Sequence, residues 1–357
     1  MVLSKCLLLT LCTILRTALS SPMPAADVFE GALLKRDTIS GPKMNGANFP
    51  GVFETLHTKA PANRVRSDPS IIFVDKWYAF ATRTIGSSVH IQVATSTDFN
   101  TWTLQRNADG SQYNALPNIP GWAVQGDPNT WAPDVNQLDD GSFVMYYSAS
   151  TTQNRSKHCV GAAVSRSPLG PYTPTSNQPL ACPLPQGGAI DASGFNDNGQ
   201  RYLVYKIDGN SLGAGGHCNS GVPPLKPTPL VLQAVAPNGY TLQGNPTTLL
   251  DHRGASDGGI IEAPVLVKKN GLYFLLFSSG CFTTTNYNVD YATADSVRGP
   301  YTRSSIPLLS TGRNGLSGPG GADFSKDLKF MVFHARTGGA RPLYTAMVTV
   351  NGRQLTI

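Results

Sequence analysis

The chain has 357 residues and a formal net charge of +6, yet only 14% of its residues are charged and its Lys and Arg residues form no run. This is a solvated surface, without the concentrated basic face that nucleic acid demands. The 36 Gly and 27 Pro residues, with hardly any helical periodicity, predict an all-β fold with many turns.

Residues 1–20 carry Lys5 near the start, an apolar run from Cys6 to Leu15 and the small-residue exit Ala18-Leu19-Ser20, the pattern of a secretory signal peptide. The run is too short to span a bilayer, and no later segment is apolar enough to do so. Residues 21–36 end in the dibasic pair Lys35-Arg36 and read as a pro-segment. That leaves 37–357 as a single extracellular domain, expected to be a monomer with neither a nucleic-acid nor a membrane partner.

From about residue 60 one pattern recurs five times: an acidic residue, a small residue or Pro, a short apolar stretch, a polar turn and an aromatic-rich strand. The lead residues are Asp68, Asp134, Asp191, Glu262 and Asp323. Further strand pairs follow, clearest in AAVSRSPLGPYT (162–173) and YATADSVRGPYT (291–302). Four antiparallel strands per repeat and five repeats predict a five-bladed β-propeller, which hides most sheet edges by radial packing. The innermost strand of each blade lines the axis, so the five acids are expected at one level of a central channel.

Of the six cysteines, four lie beyond the leader: Cys159, Cys182, Cys218 and Cys281. In an oxidising compartment they read as two disulfides, and their spacing lacks the close pairs that zinc requires. The repeat map favours Cys159–Cys182 and Cys218–Cys281 among the three possible pairings. Asn154-Arg155-Ser156 is a glycosylation sequon, in keeping with export.

A ring of like charges in a narrow funnel is costly, and its members push one another's proton affinities apart. Glycoside cleavage uses such a set: one carboxylic acid protonates the departing oxygen, a carboxylate activates water or attacks the sugar, and a neighbouring charge keeps the acid protonated.

The strings SDPSIIFVDKWYAF, WAPDV, IDASGFNDNGQRYLVYK, IIEAPVLVKKNGLYFLLFSSG and FHAR together resemble glycoside hydrolase family 43, the arabinanase, arabinofuranosidase and β-xylosidase group, from about residue 60 onward. The resemblance implies an inverting hydrolase with Asp68 as general base, Glu262 as general acid and Asp191 as the residue that orients the acid and raises its proton affinity. Base and acid would then stand roughly 6.5 to 9.5 Å apart. It places Trp131, Asp134, Arg341 and His334 around the substrate: Trp131 as a stacking platform, Asp134 on the pocket floor and Arg341 beside Asp68. Asp323 reads as structural. His334 matches a fifth-blade histidine near which many members hold a metal ion, but here Gly318 to Gly321 replaces the usual Gly-His pair, so His334 reads as a satisfied buried histidine. No cofactor is required, and a structural calcium is kept open. The implied substrate is arabinose-containing plant cell-wall polysaccharide; β-xylosidase action, a retaining fructoside-type propeller and a non-catalytic sugar-binding propeller are the alternatives.

Overall fold

A computed structural model describes residues 68–83, 88–337 and 341–357, all within the unit Asp37–Ile357. The expected signal peptide (1–20) and pro-segment (21–36) lie outside the described residues. Among these residues no helix is long and apolar enough to cross a membrane.

The structure is all-β, as the repeats predict. Blade 1 is the antiparallel meander β1 (Ser70–Phe73), β2 (Trp77–Ala81), β3 (Gln92–Ser96) and β4 (Thr103–Leu104). Blade 2 is β5 (Trp131–Gln137), β6 (Phe143–Thr151), β7 (Asn154–Ser165) and β8 (Thr173–Pro174), and blade 3 is β9 (Ala189–Asp197), β10 (Gln200–Ile207), β11 (Leu230–Val235) and β12 (Leu242–Leu250). Blade 4 follows with β13 (Ile261–Lys269), β14 (Leu272–Ser279), β15 (Asn288–Ala294) and β16 (Thr302–Arg303). Blade 5 has three strands among the described residues, β17 (Gly320–Phe324), β18 (Phe330–His334) and β19 (Leu343–Met347); the hairpin of β20 (Thr349–Asn351) and β21 (Gln354–Thr356) follows it.

The second strand of each blade is apolar on both sides because blades pack on both its faces; all nine residues of β6 are buried. Two hairpins turn on Asn-Gly pairs: Asn198-Gly199 joins β9 to β10 and Asn270-Gly271 joins β13 to β14. All four residues have positive φ, which is what a type I′ turn needs and what Asn and Gly tolerate best.

Apolar burial falls into five clusters, one at each junction between neighbouring blades. The junction of blades 5 and 1 closes the ring. There Trp77 meets Phe330 edge-on with centroids 5.1 Å apart, and Phe99 meets Phe330 at 4.8 Å. Such aromatic pairs contribute about 0.5–1.5 kcal/mol each beyond their area.

Both disulfides pair as the repeat map favours. Cys159–Cys182 ties β7 to the segment leading into blade 3. Cys218–Cys281 ties the long β10–β11 connection to the residues just after β14.

Candidate active site

The five inner strands run past a narrow axial channel of about 40 Å³, lined by 68–70, 132–134, 191–193, 263–265 and 321–323. This grouping corrects the expectation that the five acids share one level. Asp68 and Asp191 open their runs, alongside Ala132, Ala263 and Gly321. Glu262 stands one residue upstream of that level, while Asp134 and Asp323 stand two residues downstream.

The cause is a bulge that sequence spacing does not reveal. Pairing to the second strand shifts between Trp131 and Asp134, between Glu262 and Val265, and between Gly320 and Asp323. Ala132, Asp191, Ala263 and Gly321 all carry positive φ, between 47° and 55°, so each inner strand kinks toward the axis at that level. The acids therefore form two groups: Asp68, Asp191 and Glu262 at one end, and Asp134 with Asp323 farther along.

The second strands place a matching ring of buried polar residues behind the bulges. Ser148, Lys206, Ser278 and His334 pair with Trp131, Ile190, Glu262 and Gly320, and Thr82 follows β2 at the corresponding place. All five are buried. Ser148 Oγ accepts from the Asp191 backbone N–H at 3.1 Å, and Ser278 Oγ accepts from that of Gly321 at 2.9 Å.

Asp68 accepts from Thr82 Oγ1 at 3.0 Å and lies 3.7 Å from Arg341 Nη2. Arg341 reaches the site as expected. It is buried, stacks on Phe282 at 4.7 Å and approaches His334 Nε2 at 3.3 Å. His334 departs from its expected substrate role, because no part of it is exposed. Its ring stacks on Tyr287 and its Nε2 is 3.6 Å from Asp68. Burial and the Arg341 charge push His334 down to about 4, so the ring is neutral. Nor is it fully satisfied, since Nδ1 has no partner among the described residues.

Glu262 is held at both oxygens. Lys206 Nζ donates to Oε2 at 3.0 Å, and the Tyr287 hydroxyl donates to Oε1 at 2.8 Å. Lys206 is fully buried and also lies 3.1 Å from Asp208 Oδ1. Asp191 accepts from the Ala263 N–H at 3.0 Å, which fixes it against the backbone next to Glu262. Burial, then the Glu262 charge, pushes Asp191 up to about 8. The two carboxyls therefore retain a shared proton near neutrality. In this arrangement Asp191 holds it, because Lys206 and Tyr287 both favour the ionised form of Glu262; the expectation placed the proton on Glu262.

Asp134 is buried, which corrects its expected place against the substrate. Its Oδ2 accepts from Asn136 Nδ2 at 2.5 Å and from the Gly194 N–H at 2.8 Å, bracing blade 2 against blade 3. Asp323 does the same for blades 5 and 1, accepting from the Ile71 N–H at 2.7 Å. Trp131 shares Glu262's place in its own blade, and its ring stacks on the buried His158 at 3.9 Å, itself 3.0 Å from Ser150 Oγ. Asn154 is exposed at the β6–β7 hairpin. Among the described residues no group of three or more His, Cys, Asp or Glu side chains could hold a metal ion.

Sequence reasoning missed Lys206, Tyr287, Thr82 and His158. Lys206 left a signal, a charged residue ending a strand otherwise built to be buried. Tyr287 left none, since it reaches Glu262 from a loop.

Residues 59–357 match the sequence family described as Glycosyl hydrolases family 43. The chain is 28% identical over 290 residues to the extracellular endo-α-(1→5)-L-arabinanase 1 of Bacillus subtilis (strain 168), covering 77% of this chain and 81% of that protein. It is 26% identical over 260 residues to the β-D-galactofuranosidase xynD of Aspergillus niger, covering 68% of this chain and 64% of that enzyme, just under two thirds of its length. A crystal structure of a thermostable family-43 glycoside hydrolase superposes with a TM-score of 0.67 at 25% identity, covering 82% of this chain and 92% of that one.

Proposed function

The chain belongs to glycosyl hydrolases family 43, and from that premise we propose that it is an extracellular inverting hydrolase of arabinose-containing plant cell-wall polysaccharide, acting as an α-L-arabinofuranosidase or arabinanase. The observation that carries this reading is the gathering of Asp68, Asp191 and Glu262 at one end of the axial channel, each with a different set of partners. Asp68 has the Arg341 cation beside it, which favours the carboxylate that a base must be. In the reaction it takes a proton from water as that water attacks the anomeric carbon, and Glu262 gives a proton to the departing oxygen. Asp191 orients Glu262 through the backbone and disfavours its ionisation. Export is supported by the apolar leader and by the B. subtilis relative, which is named as extracellular.

The test is hydrolysis of nitrophenyl α-L-arabinofuranoside, β-D-galactofuranoside and β-D-xyloside and of linear arabinan, with NMR of the anomeric configuration first formed. Arabinoside cleavage with inversion is expected; a product of retained configuration overturns the assignment of Asp68 as base. Glu262→Gln should cost about 10²- to 10⁴-fold on substrates with a poor leaving group and less on activated aryl glycosides. Equal losses on both would remove Glu262 as the acid.

A further inference from the structure

Lys206 is fully buried and shared: its ammonium is 3.0 Å from Glu262 and 3.1 Å from Asp208. A buried cation bound to a general acid opposes the task of that acid, because it stabilises the form that has lost the proton. A second carboxylate at the same distance gives the cation somewhere else to go.

We propose that Lys206 is a positioning residue that divides its charge between Glu262 and Asp208, and that its withdrawal to Asp208 is what lets Glu262 take up the proton it delivers to the leaving group. In the resting arrangement Asp191 carries the proton, Glu262 and Asp208 are ionised, and Lys206 bridges them. In the competent arrangement the proton is on Glu262, Asp191 is ionised, and Lys206 serves Asp208. One proton has moved, and neither the net charge nor any bond to carbon has changed.

The other charged and titratable groups around Glu262 fit this division. Asp191 on β9 and Asp68 before β1 disfavour its ionisation, as does Asp208 after β10. Arg341 and the Tyr287 hydroxyl favour ionisation, and His334 on β18 is neutral. Lys206 is the cation in hydrogen-bond contact with the Glu262 carboxylate.

The inference rests on Glu262 being the proton donor, and the pH–rate profile tests it. Its alkaline limb reports loss of the proton held by the Asp191–Glu262 pair. Removing the cation in Lys206→Met should raise the affinity of the pair for that proton and move the limb to higher pH by roughly 1 to 3 units. Asp208→Asn removes a negative charge and leaves Lys206 to Glu262 alone, so the limb should move to lower pH. A merely structural role would lower activity in both variants and move neither limb. If Lys206→Met does not fold, Asp208→Asn still tests the sign, and Lys206→Arg should keep the limb near its wild-type position. Unmoved limbs, with Glu262→Gln still discriminating between leaving groups, overturn this inference and leave the acid in place. Equal losses for Glu262→Gln on both leaving groups overturn the acid assignment and the inference together.

Discussion

Asp191 shows how burial and charge can act in one direction on a single residue. Its carboxyl is enclosed next to Glu262 and raised to about 8, far above the range of an unfolded Asp. A carboxyl that binds its proton more tightly when folded opposes folding as pH rises, here from about 4 to about 8. Asp191→Asn should remove that opposition while its side-chain oxygen still accepts from the Ala263 N–H. Its stability relative to the parent is therefore expected to hold at pH 4 and to grow toward pH 8, read as melting temperature against pH. The same change removes the charge that disfavours Glu262 ionisation, so the alkaline limb of residual activity should move to lower pH. A turn-capping Asp would do the opposite in both measurements: the melting temperature would fall and the limb would stay.

The strands supply precision at the scale of the element. Inner-strand bulges aim the acids, and the strands behind them supply the ring from Thr82 to His334. Gly320, in the place that Glu262 occupies in blade 4, shows how tight this arrangement is: a Cβ there would overlap the ring of Tyr287. Since Tyr287 holds Glu262 Oε1 at 2.8 Å, Gly320→Ala should displace the ring and loosen the acid. A hydrogen bond to a charged group contributes about 1.5–3 kcal/mol, so kcat on substrates with a poor leaving group is expected to fall roughly 10- to 100-fold. KM should change little. Tyr287→Phe, which leaves the packing in place, should give a similar loss of kcat; full activity in Gly320→Ala would show that the Tyr287 contact does not matter.

For the whole molecule the question is closure, because a ring is only as stable as its last joint. Asp323 spans the junction of blades 5 and 1 by accepting from Ile71 N–H, and burial, then the Asp134 charge, pushes its carboxyl well above the ordinary range. A neutral carboxyl there is mimicked by Asn, so Asp323→Asn should keep the parental melting temperature. Asp323→Ala leaves a buried N–H unpaired at a cost of about 1–3 kcal/mol, which at this chain length lowers melting by roughly 2 to 8 °C. Equal damage from both would mean that the fold uses the ionised carboxylate. The disulfides add a second constraint, each about 3–4 kcal/mol in the chain-entropy view.

The repeat of acidic leads and aromatic strands determined the blade count, because every blade must bury its second strand on both faces and so writes the same apolar run again. Local chemistry also fixed the Asn-Gly hairpins, and the repeat map was enough to pair the cysteines correctly. What only the tertiary structure decided was the level of each acid. One extra residue at a bulge moves a side chain from one tier of the axis to the next, and a spacing of some 60 residues is blind to a shift of one or two. That shift separates Asp134 and Asp323, which join blades, from Asp68, Asp191 and Glu262. The partners that set the protonation of Glu262 were equally hidden: Lys206 and Tyr287 lie 56 and 25 residues from it in the chain, and only the packing of separate strands and loops around the axis brings their charges and dipoles within hydrogen-bond reach.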